Sequence, residues 1–247
     1  MTKYLGGDLP GAASWGDSKA LQAQFQRILP GRCLALQPLP LVPELRLWLV
    51  DAVSMQRPLT HDEAQAVVAD PAYWSFCWAS GQVLARWILD NPAWVRGRSV
   101  LDLGSGSGVV AIAAARAGAR LVLACDSDPV ALMAVACNAR NNAVRVTCSD
   151  DLRGNLPVDL VCAADILYDR DNLPLLPFLA AWQALSCSPI PGFAICASPA
   201  MSRSPAARGS PGQIWTRQGN SGASRCITAV RPRPDQVPRR SLLGVVV

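Results

Sequence analysis

The sequence predicts an α/β fold built on a doubly wound, mainly parallel sheet, and three observations carry that prediction. From Ser99 onward, strand-like and helical segments alternate. The strands are almost continuous apolar runs, as in Leu121-Val122-Leu123-Ala124, which suits strands covered by helices on both faces. The first of them, Val100-Leu101-Asp102-Leu103, runs into the glycine-rich turn Gly104-Ser105-Gly106-Ser107-Gly108, which opens a helix.

Taken in order, the pattern predicts strands at 99–103, 120–124, 144–148, 160–164 and 193–197. Helices are predicted at 109–117, 129–141 and 173–185. Right-handed crossovers then wind this series into a Rossmann-like sheet. Residues 1–71 read as a helical and loop extension, in which Leu41–Val50 starts a helix after Pro43. Thr60-His61-Asp62-Glu63 has the spacing of a capping box, so His61, the one histidine in the chain, falls in the first turn of a surface helix. A further helix over Gln82–Leu89 ends at Asn91-Pro92. The core spans 72–198, and 199–247 reads as an irregular tail, because half of its residues from Ala200 onward are Arg, Ser, Gly or Pro.

Composition removes several function classes. The formal charge of +5 is concentrated in that tail, which holds eight arginines and one acid. Residues 1–199 carry 15 basic against 17 acidic groups, so the body offers no basic face to nucleic acid. No apolar stretch is long enough for a membrane span or a secretory signal, and a cytoplasmic protein is expected. The nine cysteines include no C-x-x-C pair, which argues against zinc and for free thiols in a reducing compartment.

The glycine turn is informative through its neighbours. Val109 stands where a dinucleotide fingerprint has its third glycine, and the Gly-Lys-Ser/Thr of a phosphate loop is missing. Asp102, two residues before Gly104, can reach the cationic amino group of a methionine-like moiety, which S-adenosylmethionine (SAM) carries and a nicotinamide cofactor lacks. Asp126 closes the next strand, where a carboxylate accepts the hydroxyls of a ribose. Asp128 instead suits the cap of a helix begun by Pro129. Asp150 and Asp151, one strand further on, lie at the adenine position or serve as turn residues. The expected SAM contacts are therefore Asp102, Gly104, Ser105, Gly106, Gly108, Asp126 and Asp150. Past the fourth strand, Asp165, Tyr168 and Asp169 form a candidate catalytic group suited to an amine, although acids there also suit a helix N-terminus.

The run Tyr73-Trp74-Ser75-Phe76-Cys77-Trp78-Ala79-Ser80-Gly81-Gln82, the glycine turn, Asp126-Ser127-Asp128-Pro129 and Asp165-Ile166-Leu167-Tyr168-Asp169 resemble the lysine methyltransferases that modify the β subunit of electron transfer flavoprotein. The resemblance runs from about residue 35 to 197 and is nearest to the bacterial members. It implies a class I methyltransferase with SAM on the glycine loop and an acceptor lysine near Asp165–Asp169. It also implies that Trp74–Trp78 closes over the cofactor, with Trp78 as a contact, although tryptophans at a helix entrance often serve the core. The expected partner is the protein that carries the target lysine; a ribosomal protein or a small amine is the alternative acceptor. Where the family continues with an Asp-Pro-Gly-Arg turn, this chain reads Ala197-Ser198-Pro199-Ala200-Met201, a departure that a reading-frame shift near residue 195 would produce. A SAM-binding protein without full activity is the reading that departure allows.

Overall fold

The computed structural model describes residues 16–152, 158–166, 172, 174–175, 213–217, 224–228 and 245–246. Its centre is the predicted parallel sheet. Strands β3 (Ser99–Leu103), β4 (Leu121–Cys125), β5 (Thr147–Ser149) and β6 (Leu160–Ala163) stand in the order β5–β4–β3–β6, all parallel. Helices α4 (Val109–Arg116) and α5 (Pro129–Asn141) make the crossovers that follow β3 and β4. β3 is buried along its whole length, as a central strand of a two-faced sheet must be.

Local sequence sets the ends of these elements. Asp128 caps α5 by accepting from the Val130 N–H at 2.8 Å, with Pro129 in the first turn, so its expected role as a cap is what the structure shows. The third strand begins later than the expected 144–148. Ala143 turns the chain at a φ of +55°, and the Val144 N–H still bonds back to the Ala139 carbonyl, so Val144 belongs to the helix exit.

The segment before Trp74 departs furthest from expectation. After α1 (Ser18–Ile28) come two antiparallel strands, β1 (Leu34–Pro38) and β2 (Arg46–Val50), where a helix was expected from Leu41. The reason is the alternation Leu45, Leu47, Leu49: all three are buried, with Arg46 exposed and Trp48 and Val50 half-buried between them. Helix α2 (His61–Ala69) starts on the predicted capping box, with the Thr60 hydroxyl on the Glu63 N–H and the Glu63 carboxylate on the Thr60 N–H. Those bonds and two arginines draw the Glu63 pKa down to about 2. One of the arginines, Arg32, is 1% exposed and also donates to the carbonyls of Ser54, Arg57 and Pro58, which gathers the 51–60 loop around it.

A second hydrophobic cluster joins this segment to the sheet. Leu21 and Phe25 of α1 pack with Trp74 and with Met133, Ala134 and Cys137 of α5. Trp74 is 1% exposed and meets Phe25 edge to face, with ring centroids 6.1 Å apart, so this tryptophan belongs to the core. Helix α3 (Ala79–Asp90) then packs along α4.

Beyond β6, Pro174 and Leu175 are the described part of the expected helix at 173–185, and the expected strand at 193–197 lies outside the described residues. In the tail, β7 (Gln213–Arg217) and β8 (Ser224–Thr228) pair antiparallel, and β9 (Val245–Val246) runs parallel beside β6.

Candidate functional site

Four adjacent strands each deliver a residue to one rim of the sheet. Asp150 follows β5, Asp126 follows β4, the glycine turn follows β3, and Asp165 lies two residues past β6. The register pairs Leu103 with both Cys125 and Ala163, and Cys125 with Ser149, so the strand ends lie level. This is the carboxyl edge at which open α/β sheets take ligands.

Gly104, Gly106 and Gly108 all have positive φ, at +67°, +49° and +82°, but they differ in what surrounds them. A Cβ at Gly104 would lie 2.4 Å from the Ile166 side chain, and one at Gly108 would lie 3.1 Å from the Val135 methyls. Those two glycines let the segment after β6 and helix α5 approach the turn. Among the described residues, chain neighbours aside, a Cβ at Gly106 would come no nearer than 4.0 Å to any atom, the carbonyl of Gly104, so they leave open space beside this backbone. Gly108→Ala is expected to destabilise the fold by about 1–3 kcal/mol, combining a left-handed backbone with overpacking against Val135. Urea titration of the two proteins measures it; equal midpoints would refute the packing role.

The turn is held from several sides. The Gly104 N–H bonds to the Cys125 carbonyl at 2.8 Å. The Gly106 N–H bonds to Asp126 Oδ2 at 2.8 Å, while Asp126 Oδ1 takes the Asp128 N–H at 3.0 Å. Asp126 is half-buried, and burial raises its pKa against the backbone bonds that lower it. Both oxygens keep lone pairs for further donors. Ser105 Oγ is buried in the turn without a hydrogen-bond partner among the described residues.

Asp102 is 2% exposed and accepts from the Ala111 N–H at 2.9 Å, so one carboxylate oxygen ties β3 to α4. Burial, reinforced by the charge of Asp126, pushes its pKa up to about 7. A cation brought beside this carboxylate would restore its ionised form.

On the other side, Asp165 has a φ of +55°, unusual for a residue with a side chain, and its Oδ2 accepts from the Ser80 hydroxyl at the start of α3. Trp78, two residues earlier, is 52% exposed and clusters with exposed Tyr73 and Phe76, at centroid distances of 6.4 and 5.9 Å. Trp78 is thus set apart from Trp74: it stands at the surface beside the rim. Asp150 and Asp151 are exposed. Tyr168 and Asp169 lie outside the described residues.

Two residues that the sequence reading did not single out belong to this arrangement. Ser80 holds Asp165 across 85 positions of chain, and nothing local to it gives that away. Asn138, fully buried in α5, donates to the Ser107 carbonyl at 2.9 Å. Its signal was an amide on the inner face of an otherwise apolar helix. Among the described residues, no group of three or more His, Cys, Asp or Glu side chains could hold a metal ion.

Residues 88–170 match the sequence family described as ribosomal protein L11 methyltransferase (PrmA). The electron transfer flavoprotein β-subunit lysine methyltransferase of Mus musculus is 47% identical over 107 residues, 42% of each chain. Its Xenopus laevis counterpart is 38% identical over 141 residues, 56% of each chain. The chain therefore spans about half the length, or less, of these relatives. The crystal structure of a ribosomal protein L11 methylase from Lactobacillus delbrueckii subsp. bulgaricus is 33% identical over 34% of this chain and 45% of its own, with a TM-score of 0.30.

Proposed function

We propose that the chain is a SAM-dependent protein-lysine N-methyltransferase whose acceptor is the β subunit of electron transfer flavoprotein or a protein resembling it. The observation that carries this reading is the rim itself, in which a glycine turn lies between a ribose-type carboxylate, Asp126, and a second carboxylate, Asp165, on the opposite neighbouring strand. The 47% identity to the mouse enzyme over 107 residues supports this acceptor class.

The residues present fit SAM. Among the described residues, the backbone at Gly106 faces open space, the buried Ser105 hydroxyl is unpartnered, and Asp126 has lone pairs free. Asp126 would take the ribose hydroxyls, Asp102 the amino group, and exposed Asp150 the adenine amine. Bound there, SAM supplies an activated methyl group. The chain's own residues align the acceptor, because an in-line displacement gains most from positioning. A lysine must also lose its proton, which at pH 7 costs about 4.6 kcal/mol from a reference pKa near 10.4. A carboxylate at 165 favours the charged form, so its contribution is to capture and orient the ammonium. Tyr168 and Asp169, which follow Asp165 in the sequence, are proposed for the same acceptor role. Trp78, exposed two residues before the Ser80 that holds Asp165, supplies an aromatic wall whose apolar surface disfavours the charged form of the amine.

The test is incubation of the purified chain with SAM and recombinant electron transfer flavoprotein, followed by intact-mass measurement of the β subunit. A mass gain of whole methyl groups on lysine is expected; SAM binding without methylated product would mark the chain as inactive. The match over residues 88–170 favours a second acceptor, ribosomal protein L11, which belongs in a parallel reaction. Asp126→Ala is expected to weaken SAM about 10- to 100-fold, from the roughly 1.5–3 kcal/mol of a hydrogen bond to a charged acceptor. Calorimetric titration measures it, and an unchanged Kd would remove Asp126 from the cofactor site.

A further inference from the structure

Asn138 joins two parts of the molecule that are far apart in sequence. Its side chain has no exposed surface, and its two polar ends point to different elements. Nδ2 donates to the Ser107 carbonyl in the glycine turn at 2.9 Å, and Oδ1 accepts from the Trp48 N–H on β2 at 2.7 Å. Its neighbours on α5 continue along the same strand. Asn142 Oδ1 takes the Arg46 N–H at 3.2 Å, while Asn142 Nδ2 and Asn141 Nδ2 donate to the Arg46 carbonyl at 2.7 and 3.1 Å. β1 occupies one edge of β2, and these three asparagines supply donors and acceptors along the other.

We infer that Asn138 is a positioning residue for the glycine turn: it fixes the Ser107 carbonyl by reference to β2, a strand that lies outside the site. Where the turn is the SAM site proposed above, the N-terminal hairpin thereby governs cofactor affinity without touching the cofactor. The physical reason is the flexibility of the turn. Gly104, Gly106 and Gly108 populate left-handed backbone at little steric cost, so they also leave it easily. One restraint on the turn, the bond from Gly106 to Asp126, involves the carboxylate that the ribose would engage, whereas the bond from Asn138 to Ser107 is independent of any ligand. The position demands an amide. An aspartate would keep the acceptor for Trp48 but set a carboxylate against the Ser107 carbonyl, and a leucine would leave both backbone groups buried and unpaired.

The experiment compares Asn138→Asp, Asn138→Leu and Asn142→Ala with the wild type in the full chain. Amide hydrogen exchange of Gly106, Ser107 and Gly108 is followed without ligand, and SAM Kd is measured by calorimetry. Both Asn138 variants are expected to speed exchange in the turn at least tenfold and to weaken SAM at least tenfold. Asn142→Ala, which loosens β2 at Arg46 but leaves Ser107 bonded, should change neither by more than twofold. Turn exchange within twofold of wild type in Asn138→Asp overturns the inference, as does an equal effect from Asn142→Ala. Should the Asn138 variants not fold, the wild type decides: saturating SAM should slow exchange of the Trp48 N–H at least threefold, and an unchanged rate overturns the inference. A wild-type chain that fails to bind SAM removes the cofactor reading, while the ligand-free exchange comparison still decides the positioning role.

Discussion

Replacing Asp165 by asparagine is expected to reduce kcat/KM for the lysine acceptor by roughly 30-fold to several thousand-fold, the about 2–5 kcal/mol that follows removal of one partner of a hydrogen-bonded charge pair. Asparagine is the informative substitution. It tolerates the left-handed backbone at φ +55° and can still accept from the Ser80 hydroxyl, so the change removes charge and little else. Alanine would add backbone strain. SAM affinity should stay within about twofold, because Asp165 follows β6 while Asp126 follows β4 on the far side of β3. Steady-state kinetics with a fixed acceptor and separate SAM titrations distinguish the two effects. Full turnover in Asp165→Asn would take this residue out of acceptor capture.

The second large effect is one of opposite signs. Burial holds Asp102 protonated up to about pH 7 in the folded chain, whereas the unfolded chain ionises it in the ordinary carboxylate range near 3.9. Between those values the folded state binds more protons, so the contribution of Asp102 to stability falls as pH rises from about 4 to 7 and is flat above that. Asp128, raised to about 6, adds a loss of the same sign over a narrower window. Asp102→Asn keeps an acceptor for the Ala111 N–H and removes the titration. The ligand-free variant is therefore expected to be more stable than wild type at pH 8, with a flatter dependence of Tm on pH. Its SAM affinity should fall about tenfold or more, for loss of a charge-assisted bond to the amino group. In the wild type, affinity should rise with pH from 5 to 7 as Asp102 ionises. A variant that gains stability and binds SAM normally would leave Asp102 as a clamp between β3 and α4 and nothing more.

Much of the fold could be read from sequence because its signals are local. The buried run Val100–Leu103, the Asp128-Pro129 cap and the Thr60–Glu63 box each specify an element within a few residues, and β3, α5 and α2 begin where those signals stand. The hairpin β1–β2 was missed because Pro43-Glu44 imitates a helix start, while the alternation of Leu45, Leu47 and Leu49 is only three residues deep. The rim carboxylates Asp126, Asp150 and Asp165 were legible from their places after strands. Their supports were not, since Ser80 on Asp165 and Asn138 on Ser107 are pairings 85 and 31 positions apart that only the packed helices create.

The strand order separates the two proposed roles. Because β3 stands between β4 and β6, Asp126 and Asp150, proposed for the methyl donor, and Asp165, proposed for the acceptor, follow strands on opposite sides of β3. Under these assignments, substitutions past β6 that retarget the acceptor would leave Asp126 and Asp150 in place, provided that Ile166, which packs against the glycine turn at Gly104, is kept.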